Sequence, residues 1–489
     1  MKNKILIMVV FTMTLLGSIV MNAVAHDVGK PITDKNFNNL SKRTNELSAQ
    51  VSLLKQQIKQ MRGGKSGDYQ LSSLVEMYAH GPAVVTSPAF GVHRFAGIAE
   101  DLMVNRSSVN ADMSFLLLRQ KMDNYAISKG IPLPKQPIIA LSGAIEGKGT
   151  YNNNRNYGKT SEGDINLSRA ELDIVGEVAP WATGVIIISY EDANAAYNRS
   201  ITRVSNSRIK LDRGFLTIGQ LNKCPVYLTV GQLYAPFGSY SSYMVTKPST
   251  KVLGRVKDRM AILGFNRAGF FTQVYGLAGE TQSKHSEVVR HGGVDLGYNY
   301  ANDNFVMSVG AGVLGNLAES EGMQDIFGHV LTTGQNQNHE KIKSSVQGIN
   351  GYVKIKFYDQ YVVLAEYVGA SKNFDKDDFS FNNQGARPQA FNIEASFGLD
   401  KIAQRPSTIF AGYGFTNQAL ALGVPKQSFF AGYTISPIKN TLASIEYRHD
   451  INYDWNDTAT AAGRTADNVT SSVTGRHKNV VTLQLGVYF

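Results

Sequence analysis

Between positions 247 and 259 five basic side chains, Lys247, Lys251, Arg255, Lys257 and Arg259, stand against one acid, Asp258. Gathered in a confined space of low dielectric, such a cluster draws anions by direct charge attraction. On an open surface the same run would instead contact anionic lipopolysaccharide, and both readings stand at this point. Catalysis finds no comparable constellation. There is no G-x-S-x-G elbow, no P-loop and no H-E-x-x-H, since His339-Glu340 stands alone. His285 and His291 read as solvent-facing rather than as metal ligands. No catalytic residue, metal or cofactor is therefore expected, and the chain does not read as an enzyme.

The composition points to strands as the elements that position these charges. The chain has 489 residues with 46 Gly, 23 Tyr, 23 Phe and one Cys, 18% charged residues and a formal charge of +10. A hydrophobic fraction of 43% excludes a chain too polar to fold. Cys224 has no partner for a disulfide. Lys2 and Lys4, the apolar run Ile5 to Val20 and Ala23-Val24-Ala25 form the three parts of a secretory signal, residues 1–25. Losing Lys2 and Lys4 lowers the charge by two. After it no stretch is long and apolar enough for a spanning helix.

Residues 26–64 read as a periplasmic coiled coil. Phe37, Thr44, Val51 and Ile58 take the a positions and Leu40, Leu47, Leu54 and Met61 the d positions, ending at Gly63-Gly64. A strict a/d stripe calls for another copy of the chain, so a homo-oligomer is expected, with three copies as the working number. Residues 65–136 carry turn punctuation, a partly helical spacing from Asp101 to Tyr125, and Pro132, Pro134 and Pro137. They read as either a periplasmic spacer or a partial plug.

From Pro137 the period becomes two. Val481, Leu483, Leu485, Val487 and Phe489 face one way and Thr482, Gln484, Gly486 and Tyr488 the other, and a terminal Phe489 on such a strand resembles the assembly signal that bacterial outer-membrane barrels present to their assembly machinery. Sixteen segments of this kind fit residues 137–489, at about 22 residues per strand and connection, with short turns and long polar loops alternating. The fold class is therefore all-β: a 16-stranded antiparallel transmembrane barrel behind a short helical coiled coil. Lipid outside and water inside explain why one face is apolar and the other charged. The polar face supplies candidate pore-lining groups: Arg169, Glu171, Asp173, Glu177, Lys354, Lys356, Glu366, Glu394, Glu446, Arg448 and Asp450. Trp181, Tyr300, Phe305, Tyr358, Tyr361 and Trp455 read as interfacial girdles. The basic stretch runs from the third long loop into strand six, and in general porins that loop often constricts the pore.

The signal, the coiled coil, Gly-Pro-Ala-Val-Val-Thr-Ser-Pro at 81–88, Val226-Tyr-Leu-Thr-Val-Gly-Gln-Leu-Tyr-Ala-Pro-Phe-Gly238 and the final Phe strand together resemble the LbtU family of siderophore porins from legionellae. The similarity runs over essentially the whole chain. It implies a 16-stranded barrel in the Gram-negative outer membrane that takes up a ferric polycarboxylate siderophore without TonB coupling, with a periplasmic N-terminal region. It assigns no individual binding residue. The expected partners are that chelate or another small anionic solute, membrane lipid and lipopolysaccharide, with no nucleic acid. A porin for sugars, phosphate or general nutrients is the alternative, and a periplasmic tether anchored by a barrel is the third reading.

Overall fold

Strict alternation forces successive side chains to opposite faces of a strand, and a sheet with one apolar face must bury that face or meet lipid. The computed structural model describes residues 84–88, 102–133, 137–153, 162–192, 207–279, 291–302, 304–327, 342–358, 360–399, 405–461, 474–475 and 477–489, with Val75 and Thr281. The signal and the heptads of residues 26–64 lie outside them. In chain order, β1 (Val84–Thr86) and helix α1 (Ala111–Lys129) precede the first long strands, β2 (Ile138–Asn153), β3 (Glu162–Ala179), β4 (Ala182–Asp192), β5 (Ser207–Ile218) and β6 (Val226–Tyr234). Helix α2 (Ser249–Gly254) leads to β7 (Lys257–Arg267), β8 (Phe270–Leu277), β9 (His291–Ala301) and β10 (Phe305–Leu314). Helix α3 (Glu321–Phe327) comes before β11 (Gly348–Phe357), β12 (Tyr361–Ala370), β13 (Phe379–Phe381) and β14 (Gln384–Gly385). The chain ends through β15 (Gln389–Gly398), β16 (Ser407–Asn417), β17 (Gln427–Ile435), β18 (Thr441–Ile451), β19 (Ala459–Ala461) and β20 (Lys478–Tyr488).

Among the described residues sixteen of these strands pair antiparallel, each with its neighbour, and β2 closes the ring against β20. Closure leaves no unpaired edge, which is why a sheet can stand in hydrocarbon. β1 adds in parallel to the start of β2, where β20 has already ended. The outward face carries large apolar side chains in the open, among them Ile165, Ile209, Leu216, Leu263, Leu296, Ile445 and Leu485. A belt of that size would not persist in water, so this is the surface of a lipid-embedded barrel. Tyr300 packs near Phe305, Phe305 near Phe357 and Tyr361 near Phe397 beside the short turns, making an aromatic girdle at the turn end.

Strand β6 ends at Tyr234, and the turn between β7 and β8 is Ala268-Gly269, with Asn266 and Arg267 still in the strand. Tyr453 is buried beyond the end of β18, where its hydroxyl meets Thr416 and the Ala419 N–H. It belongs to a cap at the loop end in which β13 pairs with β14 and β19 over Phe374, Leu420 and Ala421.

The ring is sealed at its last residue. The Gly143 N–H donates to the Phe489 carbonyl at 2.7 Å and the Phe489 N–H to the Gly143 carbonyl at 3.0 Å. Deleting Phe489 removes both bonds, a loss of about 1–3 kcal/mol. A lower folded fraction in membranes is the expected result, read from heat-modifiable gel mobility.

Candidate functional site in the barrel lumen

The loop from 235 to 256 turns into the barrel because three carboxylates of the inner wall capture its backbone. Glu366 on β12 accepts from the Ser239 and Tyr240 N–H groups at 2.7 and 2.9 Å, and Asn350 also donates to it. Glu394 on β15 accepts from the Ser242 hydroxyl at 2.5 Å, the Tyr243 N–H at 2.8 Å and Asn392 at 2.6 Å. Glu446 on β18 accepts from the Val245 N–H at 2.5 Å and the Thr246 hydroxyl at 2.6 Å. Charge-assisted bonds of this sort are the strong ones in a site shielded from water. The loop thus crosses the lumen from β6 toward β18. Its entry needs a glycine: Gly238 has φ +85, and a Cβ there would lie 2.5 Å from the Tyr240 ring and 2.9 Å from Glu366. Gly238→Ala is expected to destabilise the loop by about 1–3 kcal/mol. Increased current noise in single-channel records checks it.

Residues 102–133 share this interior. Asn105 exchanges backbone bonds with Ser242 at 3.0 and 2.8 Å, and its side chain donates to the Met244 carbonyl at 2.6 Å and the Thr246 carbonyl at 3.0 Å. Helix α1 follows and ends at Gly130, whose φ of 67 is the usual left-handed stop. Asp112, buried, accepts from the Thr229 hydroxyl of β6 at 2.8 Å, and burial pushes its carboxyl above the ordinary value. Arg119 pairs with Asp123 and with Glu177 of β3. Phe115 packs near Phe215 of β5, and Met113 and Leu116 join Tyr227 and Phe271.

The basic run does not act as one cluster. Lys251 is buried and donates to the Asn105 side chain at 3.1 Å. Burial, then the Arg255, Lys247 and Arg169 charges, push its ammonium well below the ordinary value. Arg255 binds Glu321 of α3 at 2.7 Å and lies over the Tyr234 ring, and Lys257 binds Asp212 at 2.9 Å. Arg259 departs from expectation outright: it is exposed on the outward face with Ala261 and Leu263, while Asp258, Met260 and Ile262 point in. Four of the five expected selectivity cations are thus turned away or engaged by the protein's own groups. Lys247 is exposed and borders a lumen cavity. Enclosure in the lumen and then the Arg255 charge hold its ammonium below the ordinary value, against the pull of Glu321 and Asp325.

The expected wall residues do face inward, and most serve the structure. Arg169 binds Glu146 at 2.9 Å, Glu171 lies 3.5 Å from Arg213 with Asp173 buried nearby, and Arg448 binds Asp450 at 2.9 Å, which also takes the Ser428 hydroxyl. Lys356 is buried. Lys354 borders a cavity of about 870 Å³ on the turn side of the loop. Lys121, Lys223 and Arg267 also line it, and no acidic side chain does. A second cavity, about 300 Å³ on the other side of the loop, is lined by Lys148, Lys247 and Arg448, again with no acid. Lys148 escaped the sequence reading, although it stands two residues from Glu146 on a strand whose even positions point inward. Asp212 and Arg213 escaped it because a bulge between Leu211 and Arg213 turns both away from simple alternation.

No family model matches the chain. It is 34% identical over 464 residues to the UPF0422 protein of Coxiella burnetii, covering 92% of this chain and 93% of that one. The chain belongs to the UPF0422 family. A Legionella pneumophila UPF0422 protein, strain Philadelphia 1, is 39% identical over 427 residues, 85% of this chain and 78% of its own. Among solved structures, the anion-selective porin from Comamonas acidovorans aligns over 72% of this chain and 100% of its own, with TM-score 0.46 and 11% identity. The outer membrane channel DcaP of Acinetobacter baumannii aligns over 72% and 98%, with TM-score 0.44 and 14% identity. This UPF0422 protein is an all-β barrel of outer-membrane type whose lumen holds an inward loop and a segment preceding the wall.

Proposed function

We propose that this UPF0422 protein is an outer-membrane channel for small anionic solutes, with a ferric polycarboxylate siderophore as its substrate and no TonB coupling. The observation that carries the reading is in the lumen: two cavities, one on each side of the inward loop, are lined by cations and by no carboxylate, while Glu366 borders only a small space beside Lys354. In a narrow, low-dielectric passage such a lining lowers the entry cost of an anion and raises that of a cation. The sequence resemblance to siderophore porins supplies the substrate class. The absence of TonB coupling likewise comes from that resemblance.

In this reading the short turns and residues 26–64 face the periplasm, residues 102–133 occupy the lumen, the long loops face outward, and the heptads of residues 37–61 join copies of the chain. Phe489 is the assembly signal. Lys247 and Lys354 act on the solute, while Lys251, Arg255 and Lys257 act by shaping the loop. The reversal potential of the purified protein in a planar bilayer under a potassium chloride gradient tests the charge preference. Chloride preference over potassium is expected, and potassium preference contradicts the reading.

A further inference from the structure

The smaller cavity lies between the inward loop and the wall strands β2, β17 and β18. We propose that it is a binding subsite for polycarboxylate anions, in which Lys148, Lys247 and Arg448 hold separate carboxylates of one solute. The inference rests on the channel reading and says where such a solute pauses. Neither Lys148 nor Lys247 forms an ion pair among the described residues, whereas Lys251, Arg255 and Lys257 are engaged nearby. Lys148 and Lys247 both line the one space, and burial and the Arg255 charge outweigh the Glu321 and Asp325 carboxylates in holding the Lys247 ammonium below its ordinary value, so a bound anion stabilises the pair. Arg448 is held by two bonds from its guanidinium to Asp450, at 2.9 and 3.2 Å, and Asp450 is itself fixed by Ser428. That leaves the planar fork oriented, the geometry suited to a carboxylate.

Among the acids near the cavity, Asp450 pairs with Arg448, and Glu321 and Asp325 act favourably on the Lys247 ammonium, so the excess positive charge rests on Lys148 and Lys247. Glu446 is consumed by the Val245 and Thr246 donors and Asp450 by Arg448 and Ser428, and neither lines the space. A volume of about 300 Å³ is at the small end of ligand sites. It suits a tricarboxylate such as citrate, or one carboxylate-bearing arm of a larger chelate. The mixed floor of Pro248, Val424 and Phe430 suits the carbon skeleton.

Citrate added to the loop side of the full protein in a planar bilayer tests the site. It is expected to interrupt the chloride current, and acetate at equal concentration to do so far less, because one carboxylate cannot span the cations. In Lys148→Met/Lys247→Met the half-blocking concentration is expected to rise roughly tenfold or more, the equivalent of losing charge-assisted contacts. Lys148→Arg/Lys247→Arg is expected to restore block, which separates charge from packing. Heat-modifiable mobility shows that each variant is folded. Chloride preference without citrate block, or block unchanged in the double Met variant, overturns the subsite and leaves the channel reading in place. Potassium preference overturns both.

Discussion

Deleting residues 102–133 is expected to raise single-channel conductance severalfold while the barrel still folds. A helix with its side chains is about 10–12 Å across, and a 16-stranded wall otherwise leaves an aqueous passage. Helix α1 lies within that passage against β3, β5, β6 and β8, through Glu177, Phe215, Thr229 and Phe271. Its removal exposes groups that water in a widened lumen can solvate, and it breaks none of the ring's ladder bonds. It also frees Lys251, whose hydrogen bond goes to Asn105, to join Lys247 as a mobile cation. Chloride preference should therefore increase along with conductance. The deletion protein in a planar bilayer, compared with the full chain at the same salt, gives the result; equal conductance would mean that the segment does not obstruct flow.

Glu394→Ala is expected to release the inward loop. The carboxylate is fully enclosed and holds three donors, from Ser242, Tyr243 and Asn392. Each donor left unpaired in a buried place costs about 1–3 kcal/mol, so holding the loop in position becomes unfavourable unless water enters. Larger, noisier currents and a clear drop in the unfolding midpoint are the expected outcome. Glu394→Gln keeps the shape and one acceptor and should show a smaller effect. The loss should exceed simple addition when Glu394→Ala is combined with Asn105→Ala, because both residues hold the Ser242 to Met244 stretch. Additive losses would place the two anchors in independent structures.

The wall was legible because lipid and water impose period two on every strand. Leu483 and Leu485 out and Gln484 in need no tertiary information. The exceptions are local and have a cause. In β3 the pairing of Glu146 with Arg169 and of Gly147 with Leu167 leaves Ser168 bulged, so Ile165 and Leu167 share the outward face with Leu172 across a change of parity. The interior was less legible. Nothing near Lys257 or Arg255 in the sequence marks them as neutralised, since their partners Asp212 and Glu321 are 45 and 66 residues away. Likewise the carboxylates that draw the loop inward stand on strands more than a hundred residues later. Helix α1 gave a weak signal because Asp112, Arg119 and Asp123 stand among Met113, Phe115 and Leu116. A polar lumen engages a helix on several sides and asks for no single apolar stripe.

Entry of ferric citrate into proteoliposomes, followed by quenching of an enclosed iron-sensitive fluorophore, tests the central claim most directly, because such vesicles contain no TonB. Rapid quenching that depends on the protein, is slowed by excess iron-free citrate and is weakened in Lys148→Met/Lys247→Met is expected. Quenching no faster than in protein-free vesicles, from a preparation that conducts chloride, would contradict it.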